Sequence, residues 1–252
     1  MNSITRSAAP ANHPDSPTSL PWAAEQTESA TTPIAVVIAA TTARRIVEGE
    51  HPPGTILTEK VIAEAEGASR TPVREAMLQL QRWGLVRLAP KKGAVVTAPT
   101  PKEKSELLQV RVMLEESAFR EVVNGDANLT AELLQKLRIE LDNQRSAADN
   151  GDPLAFAEAD HRFHSHIIHA MGNRVVDDIF LNLAPQLARL THEVMSNQPE
   201  KHFSVIEEHE SLLVQLSNGS PESFAKQLRH HITASHDTQF TRAEKSRTSP
   251  RQ

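Results

Sequence analysis

Two sets of side chains in this sequence have the types and spacing to do chemistry. The first lies in Gly67-Ala68-Ser69-Arg70-Thr71-Pro72-Val73-Arg74-Glu75-Ala76-Met77-Leu78-Gln79-Leu80. In a helix, Arg70 and Arg74 share one face, while Val73, Met77 and Leu80 recur on another that would be buried. Gly67 supplies a turn, Ser69 or Thr71 can cap the helix, and Pro72 sits in the first turn, where its missing N–H does no harm. A helix held by its apolar side, with Thr and two Arg near its N-terminus, suits the major groove of DNA. There arginine bonds guanine edges bidentately or holds phosphates. Arginine spacing alone favours an ordinary surface helix; the neighbouring elements decide for DNA.

The second set is histidine-rich. Ten of the twelve histidines lie between His161 and His236. One expected helix carries Phe156, Phe163, Ile167 and Met171 along one side, with Asp160 and His164 four apart on or beside that stripe. In a later helix His209 falls inside the stripe Val205, Ile206, Leu212, Leu213 and Leu216. In the last, His231 is in phase with Phe224, Leu228, Ile232 and Ser235. Any one such histidine is more often a hydrogen-bonded core residue. A buried charge is costly unless paired or bound to metal, however, and one carboxylate with three imidazoles suits a divalent transition ion. Zn²⁺ is expected first, with Ni²⁺ or Mn²⁺ as alternatives. His161, His166 and His169 are expected at the surface. His202, a heptad before His209, is the substitute ligand.

The elements that must position these groups follow from hydrophobic period and breakers. Residues 1–32, rich in Ala, Ser, Thr and Pro without a period, read as a disordered tail. A helix from Pro33 to about Gly49 is broken by His51-Pro52-Pro53-Gly54. Thr58 caps a short helix over Glu59–Glu66, and the arginine-bearing helix follows and ends at Gly84. Leu85–Leu88 and Ala94–Thr97 alternate around Pro90-Lys91-Lys92-Gly93, a hairpin with a basic tip. Three helices and a basic hairpin make a winged helix-turn-helix, here over 33–98. After a linker at 99–101 the pattern is helical over 102–241, with helices near 102–124, 130–149, 153–171, 174–196, 200–217 and 221–241. Pro185 is expected to kink the fourth of them, and 242–252 form a frayed tail. The fold class is mainly α: a winged helix-turn-helix followed by an all-α bundle.

Composition narrows the classes. A chain of 252 residues has room for one or two domains, and the absence of cysteine excludes disulfides, zinc ribbons and thiol catalysis. No apolar run approaches the roughly 20 residues of a membrane span, and no secretory signal is evident at the N-terminus. A cytoplasmic protein with no membrane partner is therefore expected. The net charge of −5 is uneven: residues 34–98 carry nine Lys/Arg against six Asp/Glu, whereas residues beyond 98 carry seventeen against twenty-three. A basic segment joined to an acidic one fits a nucleic-acid reader attached to a domain with another task.

Pro53-Gly54, Leu57-Thr58-Glu59, the string Gly67–Ala76, Gly84-Leu85-Val86 and Lys92-Gly93-Ala94-Val95-Val96 resemble the DNA-binding domain of the GntR family of bacterial transcription regulators. The resemblance covers about 34–98. It implies that Ser69, Arg70, Thr71 and Arg74 touch the operator, with Lys60 on the preceding helix and Lys91, Lys92 and Gly93 at the wing. Ala68 and Trp83 depart from the family pattern, and Trp83 is expected to pack against the second domain. Arg111-Val-Met-Leu-Glu115, Asp160-His-Arg-Phe163-His164, Met171-Gly-Asn173, Glu207-Glu-His209 and Ala225–Ile232 resemble the FCD effector domain of the FadR branch. That similarity implies a metal held by Asp160, His164, His209 and His231, with a carboxylate effector at its open sites. Arg111 interrupts the stripe Leu107, Leu108, Leu114 and Ala118. It would either anchor the effector's carboxylate or form an internal salt bridge with Glu115.

The expected function is a homodimeric transcription regulator, in this family most often a repressor, on a near-palindromic double-stranded operator. Its affinity would be set by a small organic acid at the metal site. The alternatives are a regulator whose metal is structural or itself the signal, and a metal-dependent enzyme. No general base is obvious beside the expected ligands, and the winged domain would be superfluous to an enzyme.

Overall fold

In the computed structural model, the described residues are 18–23, 31–125, 127–218 and 220–236. The first helix among the described residues is α1 (Ile34–Val47), whose Ile38, Ala39, Ala43 and Ile46 are buried. Strand β1 (Ile56–Leu57) leads into α2 (Glu59–Glu66), capped as expected: Val61 N–H donates to Thr58 Oγ1 at 3.2 Å. Gly67, in the left-handed conformation, ends α2. Helix α3 (Arg70–Arg82) buries Val73, Ala76, Met77 and Leu80 and packs on α1. Ser69 occupies its N-cap, but the hydroxyl makes no capping bond, and Thr71 is the second helical residue.

The hairpin β2 (Val86–Ala89) and β3 (Gly93–Val96) forms as expected, and β1 joins it to give an antiparallel sheet of order β1-β3-β2. Sequence alternation did not find β1, since two residues are too few to show a period. It pairs Ile56 with Val95 and Leu57 with Ala94. Gly93 makes that close pairing possible: its φ is +106°, and a Cβ there would collide with the Leu57 carbonyl oxygen. Lys91, at the tip, also adopts a left-handed φ of 63°.

Among the described residues six helices follow: α4 (Pro101–Asn124), α5 (Ala127–Asp149), α6 (Pro153–His169), α7 (Arg174–Asn197), α8 (Lys201–Asn218) and α9 (Pro221–Ser235). Local signals set their starts. Thr100 and Glu103 form a capping box before Pro101, while Asp152 and Asn173 each accept from two backbone N–H groups of α6 and α7. α6 packs on α4, α5 and α7, α5 on α8, and α9 on α4 and α8. Phe119 and Phe163 stand in this core. Helix α7 runs on through Pro185. The last helix is described to Ser235; the expected stretch 237–241 and the tail 242–252 lie outside the described residues.

A second buried cluster joins α1, α3 and the sheet to the bundle. It contains Trp83, as well as Leu154 of α6 and Ala184 and Ala188 of α7. Leu20 and Trp22 belong to the same cluster, and Trp22 Nε1–H donates to Glu158 Oε1 at 2.7 Å. The disordered tail expected over 1–32 therefore does not extend to residues 18–23: two large apolar side chains outweigh the surrounding Ser, Thr and Pro. Residues 1–17 and 24–30 lie outside the described residues.

Two glycines with positive φ separate conformational strain from steric strain. At Gly54 (φ +85°) a Cβ would meet nothing within 4 Å, whereas at Gly93 it would strike β1. Gly54→Ala should cost about 1–2 kcal/mol for its left-handed backbone alone. Gly93→Ala should cost clearly more, as urea unfolding of the two variants will show.

Candidate metal centre and nucleic-acid interface

The structure brings Asp160, His164, His209 and His231 together in the bundle core. All four are buried, and their donor atoms lie within 4.8 Å of one another. α6 supplies Asp160 and His164 one turn apart, α8 supplies His209 and α9 His231. His209 Nε2 stands 3.1 Å from both His164 Nε2 and His231 Nε2. Asp160 Oδ1 is 3.5 Å from His209 Nε2 and 3.8 Å from His164 Nε2.

The other nitrogen of each ring explains why these atoms converge. His164 Nδ1–H donates to Glu115 Oε2 at 2.7 Å, His209 Nδ1–H to Gln144 Oε1 at 2.7 Å, and His231 Nδ1–H to Glu208 Oε2 at 2.8 Å. Burial, the largest cause, drives all three imidazoles well below their ordinary pKa, so they are neutral. A neutral ring with its proton on Nδ1 presents a bare lone pair at Nε2. Three such lone pairs facing one another repel unless a cation stands among them. Two imidazoles on one ion, each at about 2.0–2.1 Å, stand about 2.8–3.4 Å apart for angles from square to tetrahedral. The observed separations fit that range. The partners Glu115, Gln144 and Glu208 stand where an outer shell would orient the histidines on a metal ion.

Charge points the same way. Arg111, buried with 2 % of its surface exposed, donates from Nε to Glu115 Oε1 at 3.0 Å, and its Nη2 lies 3.6 Å from Asp160 Oδ2. Thr191 Oγ1–H donates to Asp160 Oδ2 at 3.2 Å. Burial pushes the Glu115 carboxyl up to about 7 and raises Asp160, in both cases against the pull of Arg111. Two buried carboxyls against one guanidinium leave room for added positive charge. The salt bridge expected between Arg111 and Glu115 is present, yet Arg111 Nη2 has no hydrogen-bond partner. Both expectations for Arg111 therefore stay compatible with one side chain.

Other histidines depart from expectation. His161 is buried, not surface: its ring stacks on Phe180 at 5.4 Å, and Ser165 lies 3.1 Å from its Nε2. His166 is mostly buried beside Glu140, while His169 is partly exposed and pairs with Asp177 at 3.0 Å. His202, the expected substitute ligand, is not in the cluster. It bonds the Pro199 carbonyl and meets the Phe156 ring edge-on. Gln144 and Glu208 escaped sequence reasoning, because nothing in the phase of their own helices marks them as histidine partners.

In the winged helix-turn-helix a groove of about 750 Å³ runs between α3 and the wing. Lys60, Arg70, Arg74, Lys91, Lys92 and Gly93 all line it, together with Glu59. Ser69 and Thr71 are exposed at the start of α3. Glu59 takes Arg74 bidentately, from Nε at 2.9 Å and Nη2 at 3.2 Å. That hydrogen bonding holds the Glu59 carboxyl below the ordinary range. Among the described residues no helix is long and apolar enough to cross a membrane.

Comparisons with known proteins agree with this division. The FCD domain family matches residues 106–234, and the family of bacterial regulatory proteins called gntR matches residues 35–96. An uncharacterised HTH-type transcriptional regulator of the TAR-I ttuE-ttuC' intergenic region of Agrobacterium vitis is 39 % identical over 117 residues, covering 46 % of this chain and 68 % of that one. The gluconate operon transcriptional repressor of Bacillus subtilis (strain 168) is 32 % identical over 174 residues, covering 68 % and 70 %. Among solved structures, E. coli McbR/YncC has a TM-score of 0.68 at 24 % identity over 80 % of this chain and 94 % of that one, which bears on the fold alone. Both relatives are named as transcriptional regulators. The chain belongs to the gntR family of bacterial regulatory proteins and carries an FCD domain behind its winged helix-turn-helix.

Proposed function

We propose that this DNA-binding regulator is a repressor that grips a near-palindromic operator as a homodimer, its affinity set by a small organic acid bound at a metal ion in the bundle. The observation that carries this reading is the convergence of three imidazole lone pairs on Asp160, beside a buried arginine nitrogen with nothing to bond. Residues 33–98 read the DNA, 99–101 link, and 102–241 bind the effector and dimerise; the setting is the cytoplasm.

On the DNA side, Arg70, Thr71 and Arg74 enter the major groove from the start of α3, with Ser69 at its edge. Lys60, Lys91, Lys92 and Gly93 follow the flanking phosphates. Two subunits place two α3 helices in successive major grooves, one helical turn apart. On the effector side, Asp160, His164, His209 and His231 hold the ion, Zn²⁺ before Ni²⁺ or Mn²⁺. A divalent ion supplies open positions for carboxylate or hydroxyl oxygens. Arg111 Nη2 bonds the acid, and Glu115 steadies that guanidinium from behind. The Bacillus subtilis relative is named as a repressor of a gluconate operon. That name supports repression as the direction and makes sugar acids the first ligands to try.

Base-reading and phosphate-holding residues should separate in DNA selected from a random pool by the wild-type protein. Arg70→Ala combined with Arg74→Ala should cost about 2–6 kcal/mol of binding and blur the selected sequence, since each bidentate arginine contact is worth about 1–3 kcal/mol. Lys91→Ala combined with Lys92→Ala should weaken all sequences alike and flatten the slope of log affinity against log salt by about 2. Undiminished binding by the double arginine variant would remove α3 from the major groove.

Ligand binding is read by thermal unfolding of zinc-loaded protein against mono-, di- and hydroxy-carboxylates. At 100 times its Kd the right acid should add about 2.7 kcal/mol. The gain should vanish in His231→Ala, which loses the ion, and shrink in Arg111→Met, which keeps it. Chelator alone lowering the melting point, with no acid restoring or raising it, would make the metal structural or itself the signal.

A further inference from the structure

Helix α7 belongs to both halves of the molecule. Its Leu187 and Leu190 stand in the core of the helical bundle, whereas Ala184 and Ala188, one turn apart, stand in the core shared with α1, α3 and the sheet. Two small side chains on that face let α1 pack against α7.

Polar contacts on the same stretch reach both functional ends. Thr191 Oγ1–H donates to Asp160 Oδ2 at 3.2 Å, on the carboxylate whose other oxygen faces the histidines. Arg189 Nη1 donates to Thr97 Oγ1 at 3.4 Å, and that hydroxyl lies 2.9 Å from the Gly84 carbonyl and 3.0 Å from that of Leu85. Gly84 and Leu85 form the turn that ends α3 and begins the wing. Gln186 covers the same turn so closely that any side chain at Gly84 would collide with it. Gln186, Arg189 and Thr191 fall within six consecutive residues, a rise of about 7.5 Å along the helix.

Arg189 is the unexpected member. It is 9 % exposed, and burial works against its charge, with Glu193 a minor support. Keeping a charged group in such a place is costly where an apolar side chain would fill the space. Its hydrogen bond to Thr97 crosses from the bundle to the DNA-binding half.

We propose that α7 is the element that couples the metal centre to the DNA-binding domain, with Thr191 its contact to Asp160 and Arg189 its contact, through Thr97, to the turn between recognition helix and wing. The proposal rests on the reading of Asp160 and the three histidines as a ligand-responsive metal site. Engaging Asp160 Oδ1 re-aims Oδ2, the acceptor of Thr191. A stiff helix packed in two cores carries that change as a small rotation or slide. Arg189 and Gln186 pass it to Gly84 and Leu85, and so to the angle between α3, which carries Arg70 and Arg74, and the wing, which carries Lys91 and Lys92. A ligand acts on DNA affinity only through such a difference between two arrangements.

The test uses hydrogen exchange in the full chain at the amides of Leu85 and Thr97, which bond the carbonyls of Leu80 and Leu85. The protein is compared with zinc and after chelation, and calorimetry counts the zinc bound. In the wild type, zinc should change these exchange rates about fivefold or more, the lower range of allosteric coupling. Thr191→Val and Arg189→Met should bind zinc with unchanged stoichiometry and lose most of that response, and Thr191→Ser, which restores the hydroxyl, should recover it. A response that persists in both variants overturns the proposal. A second arm needs no metal: Asp160→Ala and Arg189→Met, alone and together, in chelated protein. Non-additive effects on the same two amides support the coupling, and additive ones overturn it. Should the wild type bind no zinc, the metal reading fails while this cycle still decides the role of α7.

Discussion

The bundle is organised around three imidazoles that must stay neutral and aim the same way while fully buried. Burial removes their charge, and an acceptor on each Nδ1 fixes which nitrogen keeps the proton. Those acceptors come from three different helices: Glu115 of α4, Gln144 of α5 and Glu208 of α8. α6, α8 and α9 therefore have to bring these side chains to one point, with α4 packed on α6 and α9 and α5 packed on α6 and α8. A bundle of these helices in another order would strand a carboxyl or an imidazole in the core, at a cost of several kcal/mol for each unpaired charge. The polar centre thus specifies the arrangement of its apolar surroundings. Phe163, stacked on His209 at 4.4 Å, shows how closely the two are joined.

The DNA-binding half is built on the opposite principle. Its core is apolar, and its charges are pushed outward into one groove by the amphipathic period of α3 and the tip of the wing. Glu59 alone among the groove's charged residues is acidic, and it holds Arg74 in a fork. An exposed pair of that kind adds little stability. It does fix the direction in which a long, flexible side chain projects, reducing the entropy lost when that side chain meets a base.

Legibility in the sequence followed the range of the interactions. Helix starts at Thr58, Thr100, Asp152 and Asn173 depend on neighbours within three residues, and they were readable or nearly so. Asp160, His164, His209 and His231 could be picked out because each falls on an apolar stripe, which is a local period. Their hydrogen-bond partners could not, since Gln144 lies 65 residues from His209 and Glu115 lies 49 from His164. His161 was misplaced at the surface for a related reason. α6 is buried on nearly every side, with Leu154, Ala157, His161, Ser165 and Ile168 inside along with the expected stripe. A period argument assumes one wet face, and a central helix has none. Leu20 and Trp22 were missed because an isolated apolar pair in a polar stretch has no period at all.

Arg111 forms the expected salt bridge with Glu115 and keeps donor capacity beyond it. A lysine there would offer a single ammonium, which an ion pair with Glu115 would largely satisfy. A guanidinium has five N–H donors in a fixed plane, and Glu115 engages only the Nε side. The salt bridge therefore orients the group without exhausting it, and Nη2 is left buried, charged and unbonded 3.6 Å from Asp160. An unbonded donor in a dry core costs about 1–3 kcal/mol, which the same protein could avoid with methionine. Its persistence next to converging histidine lone pairs is intelligible if both deficits are met together, the lone pairs by a cation and the guanidinium by an acid bound to that cation.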